Sequence, residues 1–226
     1  QGVKLRPSKA FRPDVVLIGS STGGPQALQA VMRSLAGKIN QPILITQHMP
    51  ATFTTILAQH INAIPGISCV EAEQGMAIKP GMAYLAPGGL HMLVDGHAGN
   101  CSIRLTEDPP ENFCRPAVDP MFRSAVNAFG SKILAIILTG MGNDGLNGGR
   151  MVIEKGGTLM AQDEATSVVW GMPGAVAAAG LCSAALPLDQ LGPAIARFAE
   201  GAGYDTAGFR VRQRHAERTV RPGSAR

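Results

Sequence analysis

A hydroxyl, an imidazole and a carboxylate together can make a nucleophile: the base takes the hydroxyl proton and the acid steadies the base. Three residues of those types each follow an apolar run in this sequence. Ser21 lies in Gly19-Ser20-Ser21-Thr22-Gly23, His48 in Gln47-His48-Met49-Pro50, and Asp144 in Gly140-Met141-Gly142-Asn143-Asp144-Gly145. The first fits G-x-S-x-G between a strand and a helix. A tight turn needs small residues two before and two after its centre, and Gly19 and Gly23 select Ser21 over Ser20. The same turn could instead cradle a phosphate, although no G-x-x-x-x-G-K-[ST] or G-x-G-x-x-G pattern is present.

His48 alone is weak, because a single histidine is more often structural; its place at the end of a buried run points it toward a cleft. Of the others, His60 falls in a helix, His91 in a hairpin, and His97 and His215 in loop or tail, so all four read as structural or solvated. Asp144 could simply cap the helix that follows it. The glycines at 140, 142 and 145 argue for more, since they let backbone approach a ligand and leave N–H groups exposed. Asp119, in Arg115-Pro116-Ala117-Val118-Asp119-Pro120, is the rival carboxylate. The chain order Ser, His, Asp departs from the Ser, Asp, His order of common α/β-hydrolases.

These residues need a scaffold that brings three strand exits to one rim. Val15–Ile18 reads as a buried parallel strand, followed by a helix at about 25–35 with Leu28, Val31, Met32 and Leu35 on one face. Pro42–Thr46 is a second strand, and 52–62 a helix with Phe53, Ile56, Leu57 and Ile61 inward. Ala83–Leu85, His91–Val94 and Cys101–Leu105 read as antiparallel strands appended to the main sheet. A helix at 120–129, a strand at 133–139, a helix to about 155 and a strand at 157–161 follow. A helix near 173–179, a strand near 181–185 and a helix at 188–199 complete the pattern. The expected fold is α/β: a doubly wound, mainly parallel sheet with helices on both faces and an appended antiparallel hairpin. Its functional loops belong at the carboxyl ends of the strands.

The chain has 226 residues, 45% apolar and 16% charged, enough for a full core. Its net charge of +4 lives in the ends. Residues 1–13 hold four basic groups and no acid, and residues 201–226 six arginines and two acids. Residues 14–200 hold ten basic and fourteen acidic groups. This divides the chain into a linker stub at 1–13, a catalytic domain at 14–200 and a basic tail at 201–226. The basic ends read as solvated rather than as a nucleic-acid footprint. Cys69, Cys101, Cys114 and Cys182 form no C-x-x-C pair, which leaves no metal or redox motif and fits a reduced, cytoplasmic protein. No run is long enough to span a bilayer.

Several segments together resemble the CheB-type protein-glutamate methylesterases of bacterial chemotaxis. They are Leu17-Ile18-Gly19-Ser20-Ser21-Thr22-Gly23-Gly24, Ile45-Thr46-Gln47-His48-Met49-Pro50, Tyr84-Leu85-Ala86-Pro87-Gly88, Arg115-Pro116-Ala117-Val118-Asp119, Leu138-Thr139-Gly140-Met141-Gly142-Asn143-Asp144-Gly145 and Gly171-Met172-Pro173. The likeness runs from about 14 to 199. It implies Ser21 as nucleophile, His48 as base and Asp144 as third member. It also implies an oxyanion role for the Met141 N–H, which the Thr22 N–H would share. The implied reaction is hydrolysis of glutamate methyl esters on the cytoplasmic helices of chemoreceptors, with glutamine deamidation and no cofactor or metal. Full-length members usually carry an N-terminal receiver domain whose phosphorylation relieves inhibition; a thirteen-residue basic stub precedes the core here. Ser20 stands where alanine is more usual. Two other readings remain at this point, a small-molecule esterase or amidase and a non-catalytic phosphate module.

Overall fold

The computed structural model describes residues 3–203; the tail beyond 203, with His215, lies outside the described residues. Nine strands and six helices occur among them, in the order β1 (Val15–Ser20), α1 (Gly24–Leu35), β2 (Ile43–Gln47), α2 (Phe53–Asn62), β3 (Cys69–Glu71), β4 (Ala83–Leu85), β5 (His91–His97), β6 (Asn100–Thr106), α3 (Val118–Phe129), β7 (Ile133–Ile137), α4 (Leu146–Glu154), β8 (Thr158–Gln162), α5 (Met172–Ala178), β9 (Ala184–Leu186) and α6 (Leu188–Ala199). Seven strands form one sheet in the order β3-β4-β2-β1-β7-β8-β9, and every pairing in it is parallel. β5 and β6 form a separate antiparallel hairpin.

The central strands are buried along their whole length and apolar up to their carboxyl ends because both their faces are covered. Side chains alternate across a strand, so Val15 and Leu17 join one core while Val16 and Ile18 join the other. β7 divides in the same way, with Ile133, Ala135 and Ile137 against Leu134 and Ile136. The first core is closed by α3, α4, α5 and the hairpin, and the second by α1, α2 and α6. The doubly wound expectation therefore holds. Among the described residues no helix is long and apolar enough to cross a membrane.

Two expectations need correction. Ala83–Leu85 is not an antiparallel appendage; it pairs parallel with β2 and β3, where all three residues are buried. Only three residues long, it carries too little periodicity to separate a fully covered strand from a hairpin strand. In α2 the inward residues are Thr54, Leu57, Ala58 and Ile61, at the i, i+3, i+4, i+7 spacing of one face. Phe53 and Ile56 lie exposed instead. A polar residue takes the inward place because the Thr54 hydroxyl accepts a hydrogen bond from the Gly88 N–H at 2.9 Å.

The segment before β1 has no helix or strand but rests on the body. The Arg6 N–H donates to the Cys182 carbonyl at 2.8 Å, and the Phe11 ring packs on Phe198 with centroids 5.6 Å apart.

Candidate active site

β1 sits mid-sheet. Its chain leaves toward β2 on one side, and β7, which leads on to β8, lies on the other. Crossovers in opposite directions open a crevice at the carboxyl ends of the strands there. Ser21 follows β1, His48 follows β2, and the Gly140–Gly145 turn follows β7, so all three expected residues stand on that rim.

Register makes Ser21 and His48 neighbours. Ser20 pairs with Gln47 as the last rung between β1 and β2, and each of the two residues comes one position later. Gln47 locks them together. Its side-chain amide donates to the Ser21 carbonyl at 2.8 Å and to the His48 carbonyl at 3.1 Å, while its oxygen accepts from the Ser20 hydroxyl at 2.6 Å. Gly24 is required beneath it, because a Cβ there would lie 1.8 Å from that oxygen. From the other side the Ser21 N–H donates to the Thr139 carbonyl at 3.0 Å. Gly140 presses against Ser21, where an added Cβ would come within 2.7 Å of the serine Cβ.

His48 and Asp144 are in direct contact, Nε2 to Oδ2 at 2.6 Å. Asp144 is buried, and a buried carboxylate must be well supplied with donors. Besides His48 it accepts from four others: Val118 N–H at 2.6 Å, Asp119 N–H at 3.0 Å, Gly145 N–H at 2.9 Å and the Asn112 side-chain amide at 2.8 Å. With Nε2 donating to the acid, the neutral imidazole presents its lone pair at Nδ1. The Ser21 hydroxyl makes no hydrogen bond with His48 in this arrangement. Nδ1 faces the Cys114 sulfur instead, at 3.4 Å.

Asp119, the rival carboxylate, is also buried, and lies beside Asp144 rather than in its place. Its Oδ1 accepts from the Gly145 and Gly148 N–H groups at 3.1 and 2.7 Å, and its Oδ2 from Asn112 at 2.9 Å. Burial pushes its carboxyl above the usual carboxylate range, the N–H donors hold it down, and the charge of Asp144 adds to the rise. One Asn112 amide thus bridges two carboxylates. The Cys114 thiol is also raised above its ordinary value, first by burial and then by Asp144, so it keeps its proton near neutrality.

Met141 and Thr22 are exposed and lie in the turns that follow β7 and β1. Among the described residues neither backbone N–H donates to another protein group, and both are free to meet an oxyanion. The Thr22 carbonyl is fixed by the Thr139 hydroxyl at 2.9 Å, which holds that turn in place. The remaining described histidines stay apart from this cluster. His60 and His97 are exposed, while His91 is buried, accepting from the Ala117 N–H at 3.2 Å and lying 3.0 Å from the Pro109 carbonyl.

Sequence reasoning passed over Gln47, Asn112 and Cys114. Gln47 carried a signal, a polar residue ending an otherwise apolar strand. Asn112 and Cys114 carried none, since their partners are 32 and 66 residues away along the chain.

A protein-family model described as CheB methylesterase matches residues 16–195. A protein of Azospirillum brasilense named protein-glutamate methylesterase/protein-glutamine glutaminase is 61% identical over 207 residues, covering 88% of this chain and 52% of its own. A protein of Rhodospirillum centenum with that name, of its group 2 operon, is 62% identical over 188 residues, covering 83% and 48%. The chain thus spans about half the length of the curated relatives it matches. Among solved structures, the catalytic domain of the Thermotoga maritima CheB methylesterase superposes with a TM-score of 0.78 at 38% identity, covering 82% of this chain and 97% of that one.

Proposed function

Because this chain belongs to the CheB methylesterase family, we propose that it hydrolyses the methyl esters of glutamate side chains on chemoreceptor helices in the cytoplasm and deamidates suitable glutamines there. The observation that carries this reading is the contact at 2.6 Å between His48 and the buried carboxylate of Asp144, on the rim where Ser21 emerges. The relatives bearing both activities in their names add support.

Ser21 is the nucleophile. Its hydroxyl gives its proton to His48 as the oxygen attacks the ester carbonyl carbon. With Nε2 committed to Asp144, the proton goes to Nδ1. Asp144 fixes that tautomer and stabilises the imidazolium, its own charge held by the N-terminal N–H groups of α3. The N–H groups of Met141 and Thr22 receive the negative charge of the tetrahedral intermediate. His48 then returns the proton to the departing methoxide, and methanol leaves. Water, deprotonated by His48, attacks the acyl-serine; the imidazolium gives that proton to the Ser21 oxygen as the acyl bond breaks, and glutamate is released. A glutamine side chain takes the same route with ammonia as leaving group.

The test is methanol release from methylated receptor fragments by the wild type and by Ser21→Ala. Loss of a nucleophile costs on the order of a millionfold in a serine hydrolase of another fold. Ser21→Ala is expected to fall to background while keeping its folded circular dichroism; substantial residual turnover would remove Ser21 from the role.

A further inference from the structure

We propose that Cys114 is a positioning residue that holds the base nitrogen of His48 in the resting enzyme and must yield it to Ser21 before acyl transfer. The inference rests on the triad assignment above and adds to it a member which that assignment does not contain.

The geometry is specific. Asp144 occupies Nε2, so Nδ1 is the sole lone pair of the neutral ring. The Cys114 sulfur sits 3.4 Å from it, within range for an S–H donor. The thiol is protonated near neutrality, as a donor must be.

The sulfur is held there by its own turn. Glu111 and Cys114 exchange both backbone hydrogen bonds, N–H to carbonyl at 3.1 and 2.9 Å. The Glu111 carboxylate in turn grips Arg123 of α3 at 2.6 and 3.3 Å. Between them, Asn112 holds Asp144. One four-residue turn therefore touches both His48 and Asp144, while the Ser21 hydroxyl is bonded to neither.

A thiol is a weak donor, so the latch is easily displaced by the stronger O–H donor of Ser21 once substrate fills the crevice. While engaged it stabilises neutral imidazole and draws the base away from the nucleophile. Charged groups facing His48 are few. Asp144 touches it directly, and Asp119 lies behind Asn112.

The experiment measures sulfonylation of Ser21 by phenylmethylsulfonyl fluoride, located by mass spectrometry, as a function of pH in the wild type, Cys114→Ala and Cys114→Ser. Removing the competitor in Cys114→Ala is expected to raise the plateau rate about two- to fivefold, the population change set by one modest hydrogen bond. It is also expected to raise the apparent pKa of the profile, because neutral imidazole loses a donor. Cys114→Ser keeps a donor in place and is expected to label more slowly than Cys114→Ala, with the lower pKa restored. A merely structural role for Cys114 would leave the pKa unmoved. Equal plateau rates and equal pKa values in all three proteins, with Ser21 labelled, would overturn the latch and leave the triad standing. Absence of Ser21 labelling in all three would overturn both.

Discussion

Asp119 and Asp144 each hold the start of the other's helix. Asp144 immediately precedes the turn into α4, yet its carboxylate accepts from Val118 and Asp119, the first two N–H groups of α3. Asp119, in the first turn of α3, accepts from Gly145 and Gly148 at the start of α4. Neither helix has a side-chain cap from its own N-cap residue, Ala117 or Gly145. The exchange staples two helices on one face of the sheet and leaves one Asp144 oxygen turned to His48. The same carboxylate therefore serves the fold and the proposed triad.

Asp144→Asn is expected to lose on both counts. An amide cannot accept on both sides, so at least one helix-start N–H is left facing a donor. That costs about 1–3 kcal/mol of stability for a buried group. The imidazole tautomer is also lost, which costs about 10⁴-fold in rate in the serine triad of an unrelated protease. Urea unfolding and methanol release on the same preparation check this. Activity within tenfold of wild type, together with the expected stability loss, would leave Asp144 as a cap and nothing more.

Asp119 carries a pH signature. Its folded carboxyl takes up its proton at a higher pH than the ordinary value of 3.8. From 3.8 up to the folded value, the folded state binds more protons than the unfolded one. Stability contributed by this group is thus present at the acid end of that window and lost as pH rises through it. Asp119→Asn is expected to flatten this part of the profile. Urea midpoints for both proteins, measured in steps upward from pH 3.8, give the comparison; an unchanged slope would show that another group sets it.

The sheet was legible because β1, β2 and β7 are apolar over both faces, a pattern that demands cover on each side and hence a doubly wound fold. The rim positions of Ser21, His48 and Asp144 followed from strand exits alone. Asp144 as a cap was half right: it accepts from the Gly145 N–H just ahead of α4, but it also holds the first two N–H groups of α3, while Asp119 takes Gly145 and Gly148 at the start of α4. That exchange is a contact between residues 25 apart, and nothing local encodes it. The same holds for Cys114, whose meaning arises only when the loop before α3 folds over His48. β4 was misjudged because three residues carry no readable period, and the inward face of α2 because Thr54 is polar for a hydrogen bond made to Gly88.

Gly140 sets the distance between the β7 exit and Ser21. A Cβ at that position would lie 2.7 Å from the Ser21 Cβ, 2.9 Å from its backbone nitrogen and 2.5 Å from the Met172 sulfur. The methionine can move; the serine backbone, tied to Thr139, cannot without shifting the nucleophile. A displacement on the order of 1 Å at a reacting group costs about 10²-fold. Gly140→Ala is expected to lose at least that in kcat on a small ester such as p-nitrophenyl acetate, with KM little changed. Full activity in the variant would mean that the turn relaxes without moving Ser21.

Phe113 is costly to the fold in two ways. Its φ of 64° is left-handed, a region that strains an ordinary side chain by about 1–3 kcal/mol. Its ring is also wholly exposed, at 103%. No packing among the described residues repays either, and the residue sits between Asn112 and Cys114, which reach Asp144 and His48. On the proposed reading the exposed ring is free to meet the receptor helix, and a few such residues commonly carry most of an interface's binding energy. Asparagine tolerates the left-handed conformation without offering a ring. Phe113→Asn is therefore expected to keep or gain stability in urea and to hydrolyse p-nitrophenyl acetate within about twofold of wild type. On methylated receptor fragments its KM should rise about tenfold, the equivalent of roughly 1.4 kcal/mol of lost contact. Equal loss on the small ester and on the receptor would place the defect in the turn that holds Asn112 and Cys114, and no loss on either would leave the exposed ring without a role in substrate docking.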